Sequence, residues 1–293
     1  MKKISAILPF SSLIACSENK TTCNYITDYY PVVYEAEIQY HQKNYQKAFE
    51  LYQAAFKSCE PKNTILHNEL DKYSELAAIL GKEELALELI TRRIEQGAEI
   101  AWIQQEPVFQ KILNSERGKE IVSEYEQNRA EYLAGLNLEL RKELQKMIQL
   151  DRAHNMTPTK DSMFRANDKR LVEIFEEYGY PNEKLIGSYN IDKTDADPQM
   201  MLLHSADSIR INYFIPKIEE FVRNGECFPI VLATLHDNLE LFNGNSQTHG
   251  TFRSSDGGYA KMISSVAEVN SNRQNAGMPS LEMTEKLDSL RLQ

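Results

Sequence analysis

Beyond Ala15 the chain has no apolar run near the roughly 20 residues that a membrane-crossing helix needs. Glycine and proline are sparse, 12 and 10 among 293 residues, which argues against a turn-rich β-protein and for helices. Positive charge is scarce. Lys and Arg number 33 against 43 Asp and Glu, a net charge of -10. A surface that acidic repels phosphate backbones and anionic lipid heads, so nucleic acid is excluded as a partner. No Walker loop, dinucleotide glycine fingerprint, HExxH or GxSxG occurs, and the glycines of Asp256-Gly257-Gly258 mark a turn rather than a phosphate cradle. No cofactor and no metal are expected.

What is present begins at the N-terminus. Met1-Lys2-Lys3 is followed by the apolar run Ile4 to Ala15 and then Cys16. The run suits a signal-peptide core and is too short to span a bilayer. Leu13-Ile14-Ala15-Cys16 resembles a bacterial lipobox. The resemblance implies a leader over 1–15, removed before Cys16, acyl chains on the Cys16 thiol as the membrane anchor, and residence in the cell envelope. Ser17-Glu18 is similar to the acidic export signal of Bacteroidetes surface lipoproteins, which places the anchor in the outer membrane, on its periplasmic or surface face. With Cys16 acylated, Cys23, Cys59 and Cys227 remain. A Cys23–Cys59 disulfide is one reading in an oxidising compartment. The favoured alternative makes Cys59 and Cys227 small buried residues and Cys23 an exposed thiol on the tether, since three cysteines cannot all pair.

Residues 17 to 24 are polar and lack periodicity, so 16–33 reads as a lipidated tether. From about Tyr34 the spacing turns helical, with Ile38, Tyr45, Ala48, Phe49, Tyr52, Ala55 and Phe56 at steps of three and four. Asn44 to Phe56 resembles the second half of a tetratricopeptide repeat, in which small residues let two helices close and aromatics fill the seam. A weaker copy follows over Tyr73 to Ile94, with Ala86 lying 38 residues after Ala48. The family repeats at about 34 and carries a glycine in the first helix of each repeat, which is missing here. Trp102 is expected to plug the open end of the stack. Residues 119 to 133 make a charged, solvated helix. The segment 34–133 is therefore read as a tetratricopeptide-like domain. Tyr40, Tyr45 and Tyr73 either line a concave groove or pack the seam.

The second domain is set at 134–293. Leu136, Leu140, Leu144, Met147 and Ile148 keep helical spacing up to Asp151-Arg152-Ala153-His154-Asn155, and Met156-Thr157-Pro158-Thr159 breaks it. Helices are expected over Asn167 to Tyr178, Pro198 to Ile211, Tyr213 to Asn224 and Pro229 to Phe242. A small β-hairpin is expected from Thr248 to Ile263, and two last helices around Gly277-Met278-Pro279. The order of Asp151-Arg152, Asn167-Asp168, Tyr178-Gly179-Tyr180-Pro181, Ile186-Gly187, Leu202-Leu203-His204 with Asp207, Leu235-His236-Asp237, Gln247-Thr248-His249-Gly250-Thr251 and Asn272-Arg273 resembles an uncharacterised family of bacterial secreted and lipoprotein domains of unknown function. The resemblance implies an envelope protein and brings no reaction. That family carries tyrosine where His249 stands, so a role for His249 in chemistry would be private to this chain.

The polar groups worth weighing are Asp168, His204, Asp207, Asp237, Gln247, His249 and Thr251. His204 follows Met200-Met201-Leu202-Leu203 on a helix that reads as buried. Beside Asp237 and Gln247 it would make a general acid–base pair or half a metal site. The simpler reading is a hydrogen-bonded cluster that locks two helices to the hairpin. Ser205 is adjacent to His204 on a helix and cannot face it. The chain thus reads as a mainly α, lipid-anchored envelope protein, a binding or scaffold module for an envelope protein or peptide. The rival is an envelope hydrolase using His204 and Asp237, with Asp168, Asp207, Gln247, His249 and Thr251 holding the ligand.

Overall fold

The computed structural model describes residues 23–62 and 68–292. The leader and the acylation site at Cys16 lie outside the described residues. The protein is 71% helix, and no strand occurs among the described residues.

A π-turn at Tyr25–Tyr29 leads into α1 (Tyr30–His41), followed by α2 (Tyr45–Ser58), α3 (Glu69–Ile79) and α4 (Glu83–Glu95). Helix α1 packs on α2, α2 on α3, and α3 on α4. The helices close because Ala36, Ala48, Ala55, Ala77 and Ala86 are buried where the backbones approach. Phe49 stacks on Tyr73 at 4.8 Å, and Tyr73 is buried, so Tyr73 belongs to the seam. Tyr40 donates its hydroxyl to Glu75, which also points it into the packing. Short α5 (Ile100–Gln105) and α6 (Gln110–Leu113) turn the chain into α7 (Glu116–Ala134).

Two expectations fail here. The tether ends well before residue 33: Tyr25, Ile26, Tyr29, Tyr30 and Val33 recur at three- and four-residue steps and are all buried. Trp102 is 50% exposed and plugs nothing; Ile103 and Phe109, both fully buried, fill that end.

The chain continues as α8 (Leu138–His154), α9 (Lys160–Tyr178), α10 (Glu183–Ile186), α11 (Gln199–His204) and α12 (Asp207–Ile209). A second π-turn at Arg210–Phe214 precedes α13 (Ile215–Arg223), α14 (Pro229–Phe242), α15 (Val266–Asn275) and α16 (Leu281–Arg291). Gly179 stops α9 at φ +77°, the left-handed conformation that glycine adopts without strain. The expected helix Pro198 to Ile211 is broken: Ser205 and Ala206 are extended, and the side chain of Arg210 fills the gap by donating to the carbonyls of Leu203 (2.7 Å) and Ser205 (2.6 Å). Residues 247–263 form no ladder. They hold two isolated bridges, Gln247 to Met262 and Arg253 to Tyr259.

Helix α1 is also tied to the second half. Tyr34 Oη donates to the Gly277 carbonyl at 3.1 Å, and Glu37 on α1 binds Arg291 on α16 at 3.0 Å. Buried side chains from Tyr25 to Ala276 form one hydrophobic cluster.

Candidate functional site

Cys23 and Cys59 form a disulfide, against the favoured expectation of free thiols. The π-turn brings Cys23 to the end of α2, with Cα atoms 5.4 Å apart, a normal span for a bridge. Tyr25 Oη donates to the Glu60 carbonyl and Tyr29 Oη accepts from the Lys62 N–H, both at 2.8 Å, so the two chain segments are held together beside the sulfurs. Burial pushes the Tyr25 hydroxyl up to about 12 and the Lys62 ammonium down to about 8. Cys227 is a free, buried thiol.

The expected His204–Asp237 pair does not exist. His204 ends α11, and its Nδ1 lies 2.7 Å from Asp151 Oδ2 on α8. Asp151 is 1% exposed, and its other oxygen accepts from Asn167 Nδ2 at 3.0 Å. The imidazole stacks on Phe164 of α9, centroids 4.7 Å apart. An ionised carboxylate only accepts, so Nδ1 is the edge that donates to Asp151. The His204 side chain keeps 20% of its surface, so it is neither fully buried nor set in an open pocket. Asp168, one residue after Asn167, faces the same corner and accepts from the Ala206 N–H at 3.3 Å. Burial raises its carboxyl against the opposing pull of Ser205 and Ala206. Asp207 shares no face with His204, because α11 ends at His204; its side chain is about half exposed.

Asp237 is fully buried and holds a different segment. Its Oδ1 accepts from the N–H groups of Thr248 (2.7 Å) and His249 (2.8 Å), and its Oδ2 from the N–H and Oγ of Thr251 (2.9 Å each). Burial alone would push its carboxyl up, but the donors from His249 and Thr251 outweigh it and hold the group below the usual carboxylate range. His249 Nδ1 sits 3.3 Å from the same oxygen, and its ring stacks on His236 at 5.4 Å. Burial, then the neighbouring His249, pushes the His236 imidazole down. Gln247, also fully buried, donates to the Phe252 carbonyl at 2.9 Å and accepts from the Phe252 N–H at 3.0 Å. Thr248, His249 and Thr251 thus gather on Asp237, Gln247 braces Phe252 in the same segment, and His204 bonds Asp151 instead.

Two buried arginines carry no functional expectation from the sequence, one fixing the Asp237 segment and one the loop after α10. Arg273 donates to the carbonyls of His249 (2.7 Å) and Pro279 (2.6 Å) and to Thr284 Oγ1 (2.7 Å). Arg141 grips Asp192 with two nitrogens, at 3.0 and 2.7 Å, and reaches the Gly187 carbonyl at 2.9 Å. One signal was available for Asp151. It lies on the stripe of Leu140, Leu144 and Ile148, all buried, and a carboxylate in register with an apolar stripe must have a partner.

No three His, Cys, Asp or Glu side chains converge to hold a metal among the described residues. A ligand-sized cleft of about 630 Å3 lies elsewhere, between the N-terminal turn, α13 and the α15–α16 connection. No protein-family model, curated protein or solved structure matches the chain.

Proposed function

We propose that the protein is a lipid-anchored binding module of the cell envelope. The observation that carries this reading is the Cys23–Cys59 disulfide. Such bridges persist where thiols are not kept reduced, outside the cytoplasm. The bridge lies seven residues past Cys16, at the foot of the helical body, where a tether meets a fold. The leader and the lipobox-like Leu13-Ile14-Ala15-Cys16 name the same compartment independently. The pairs α1–α2 and α3–α4 are read as two tetratricopeptide-like hairpins, and 247–263 as an irregular β-hairpin clamped by Asp237. Asp237 commits both oxygens to Thr248, His249 and Thr251, which makes it a structural clamp and favours binding over catalysis at that cluster.

The test is metabolic labelling with palmitate of cells that make the full chain or Cys16→Ser. Label in the membrane fraction that disappears with Cys16→Ser is expected. An unlabelled, full-length protein in the cytosol, with Cys23 and Cys59 open to alkylation, overturns the reading.

One observation favours a second reading, a hydrolase. The Asp151–His204 pair presents Nε2 as a base, which would take a proton from water attacking an ester or amide carbonyl, while Asp151 stabilises the imidazolium. Hydrolysis of a chromogenic ester that is lost in both His204→Gln and Asp151→Asn supports it; equal rates in all three proteins remove it.

A further inference from the structure

The 630 Å3 cleft lies in the size range of ligand pockets and at a junction of elements, the usual place for one. Its walls are fixed before any ligand arrives. Asn24 Oδ1 caps the Ile26 N–H at 3.1 Å, Tyr34 Oη holds the Gly277 carbonyl, and Ser280 caps α16 at Met283. A cleft built in advance loses little ordering entropy on binding.

Its chemistry narrows the occupant. Among the described residues, the charged side chains on its walls are Glu219 and Arg223, which bind each other at 2.7 Å, so these walls present no net charge to a ligand ion. The apolar share comes from Ile26, Tyr34, Met278 and Met283. Methionine thioethers re-pack around differing side chains and tolerate variety. Between them stand the exposed amides of Gln274 and Asn275, each with donors and an acceptor. An acyl chain offers those amides no hydrogen bond, whereas a ligand with its own donors and acceptors does. A peptide backbone, which alternates N–H and C=O, satisfies them and leaves its side chains to the methionines.

We propose that this cleft binds an extended, uncharged peptide segment. Asn24 follows Cys16 by eight residues, a reach of at most about 29 Å, so on the anchored reading the peptide is one that lies close to the membrane. That location rests on the anchored reading; the binding itself does not.

The test uses the full chain in detergent micelles and fluorescein-labelled, end-capped octapeptide pools, one of neutral residues, one enriched in Glu and one in Lys, with a fluorescent fatty acid as a fourth probe. Saturable anisotropy change is expected with the neutral pool alone, weakened about five- to tenfold by Gln274→Ala, an exposed site that cannot unfold the chain, and more by Met283→Glu. No saturation by the neutral pool at about 1 mM, tighter binding of the fatty acid, or equal binding by both variants and the wild type overturns the proposal. Absence of palmitate label with peptide binding intact would remove the anchor and leave the cleft.

Discussion

His204 Nδ1 and Asp151 Oδ2 stand 2.7 Å apart, while Asp237, the partner expected for His204, is committed to the backbone of Thr248, His249 and Thr251. The two corners share no hydrogen bond, and a double-mutant cycle reads that separation. Asp151→Ala leaves the Asn167 amide and the imidazole unpaired and is expected to cost about 2–4 kcal/mol, with His204→Ala costing about 1–2 kcal/mol. The pair should couple by about 1 kcal/mol in urea unfolding, whereas His204→Ala and Asp237→Ala should add to within about 0.5 kcal/mol. Coupling of the second pair and additivity of the first would refute the assignment.

Asp237 is a clamp whose removal should act on one segment first. Asp237→Asn keeps the shape but replaces an oxygen that accepts with an amide that donates, facing either the Thr248 and His249 N–H groups or the Thr251 N–H and hydroxyl. About 2–4 kcal/mol of destabilisation is expected. Hydrogen exchange should rise at residues 247–251 more than in α2 or α4. Uniform acceleration across the molecule, or none, would contradict the clamp.

How far the sequence carried follows from what each element depends on. Helix α14 was read with its observed bounds, Pro229–Phe242, because proline fixes its first turn and the aliphatic stripe its face. The break at Ser205–Ala206 was illegible, since residues 198–211 keep helical spacing and it is Arg210, reaching back to two carbonyls, that stabilises the corner. Periodicity reports which face is buried and not which buried polar groups meet. That is why the sequence pairs His204 with Asp237 and Gln247, whereas in the fold His204 meets Asp151 and Asp237 meets the backbone of Thr248, His249 and Thr251. The burial of Tyr25, Tyr29 and Tyr30 is not legible locally, because it depends on α13 and on α2, distant in sequence.

Glu37 predicts an acid-sensitive join. It binds Lys72 of α3 at 2.9 Å and Arg291 of α16 at 3.0 Å. Burial works to raise its carboxyl, but Lys72 and Arg291 outweigh that and bring it from 4.5 down to about 2. A carboxylate depressed in the folded state stabilises above the unfolded value and loses that contribution as pH falls toward the folded one. The stabilisation is therefore whole at pH 7 and fades between about pH 4.5 and 2. Glu37→Gln should cost about 2 kcal/mol at neutral pH and progressively less in that window, measured by urea unfolding at several pH values. A difference that does not shrink on acidification would show that the ion pairs contribute nothing.

The Cys23–Cys59 bridge should matter more through the unfolded chain than through any contact in the folded one. It closes a separation of 36 residues, and the chain-entropy argument assigns such a loop about 4 kcal/mol. Cys23→Ser with Cys59→Ser should lower the free energy of unfolding by that order, with urea dependence that rises as the unfolded state expands. The folded state is expected to survive, because Tyr25 on the Glu60 carbonyl and Tyr29 under the Lys62 N–H hold the same two segments without the sulfurs. Removing these contacts in the bridged protein, with Tyr25→Phe and Tyr29→Phe, should cost about 1 kcal/mol each, and in the serine variant at least as much, since no covalent link then restrains the ends. Serine variants as stable as the bridged chain would mean the two segments stay associated when unfolded, and the entropic account would fail.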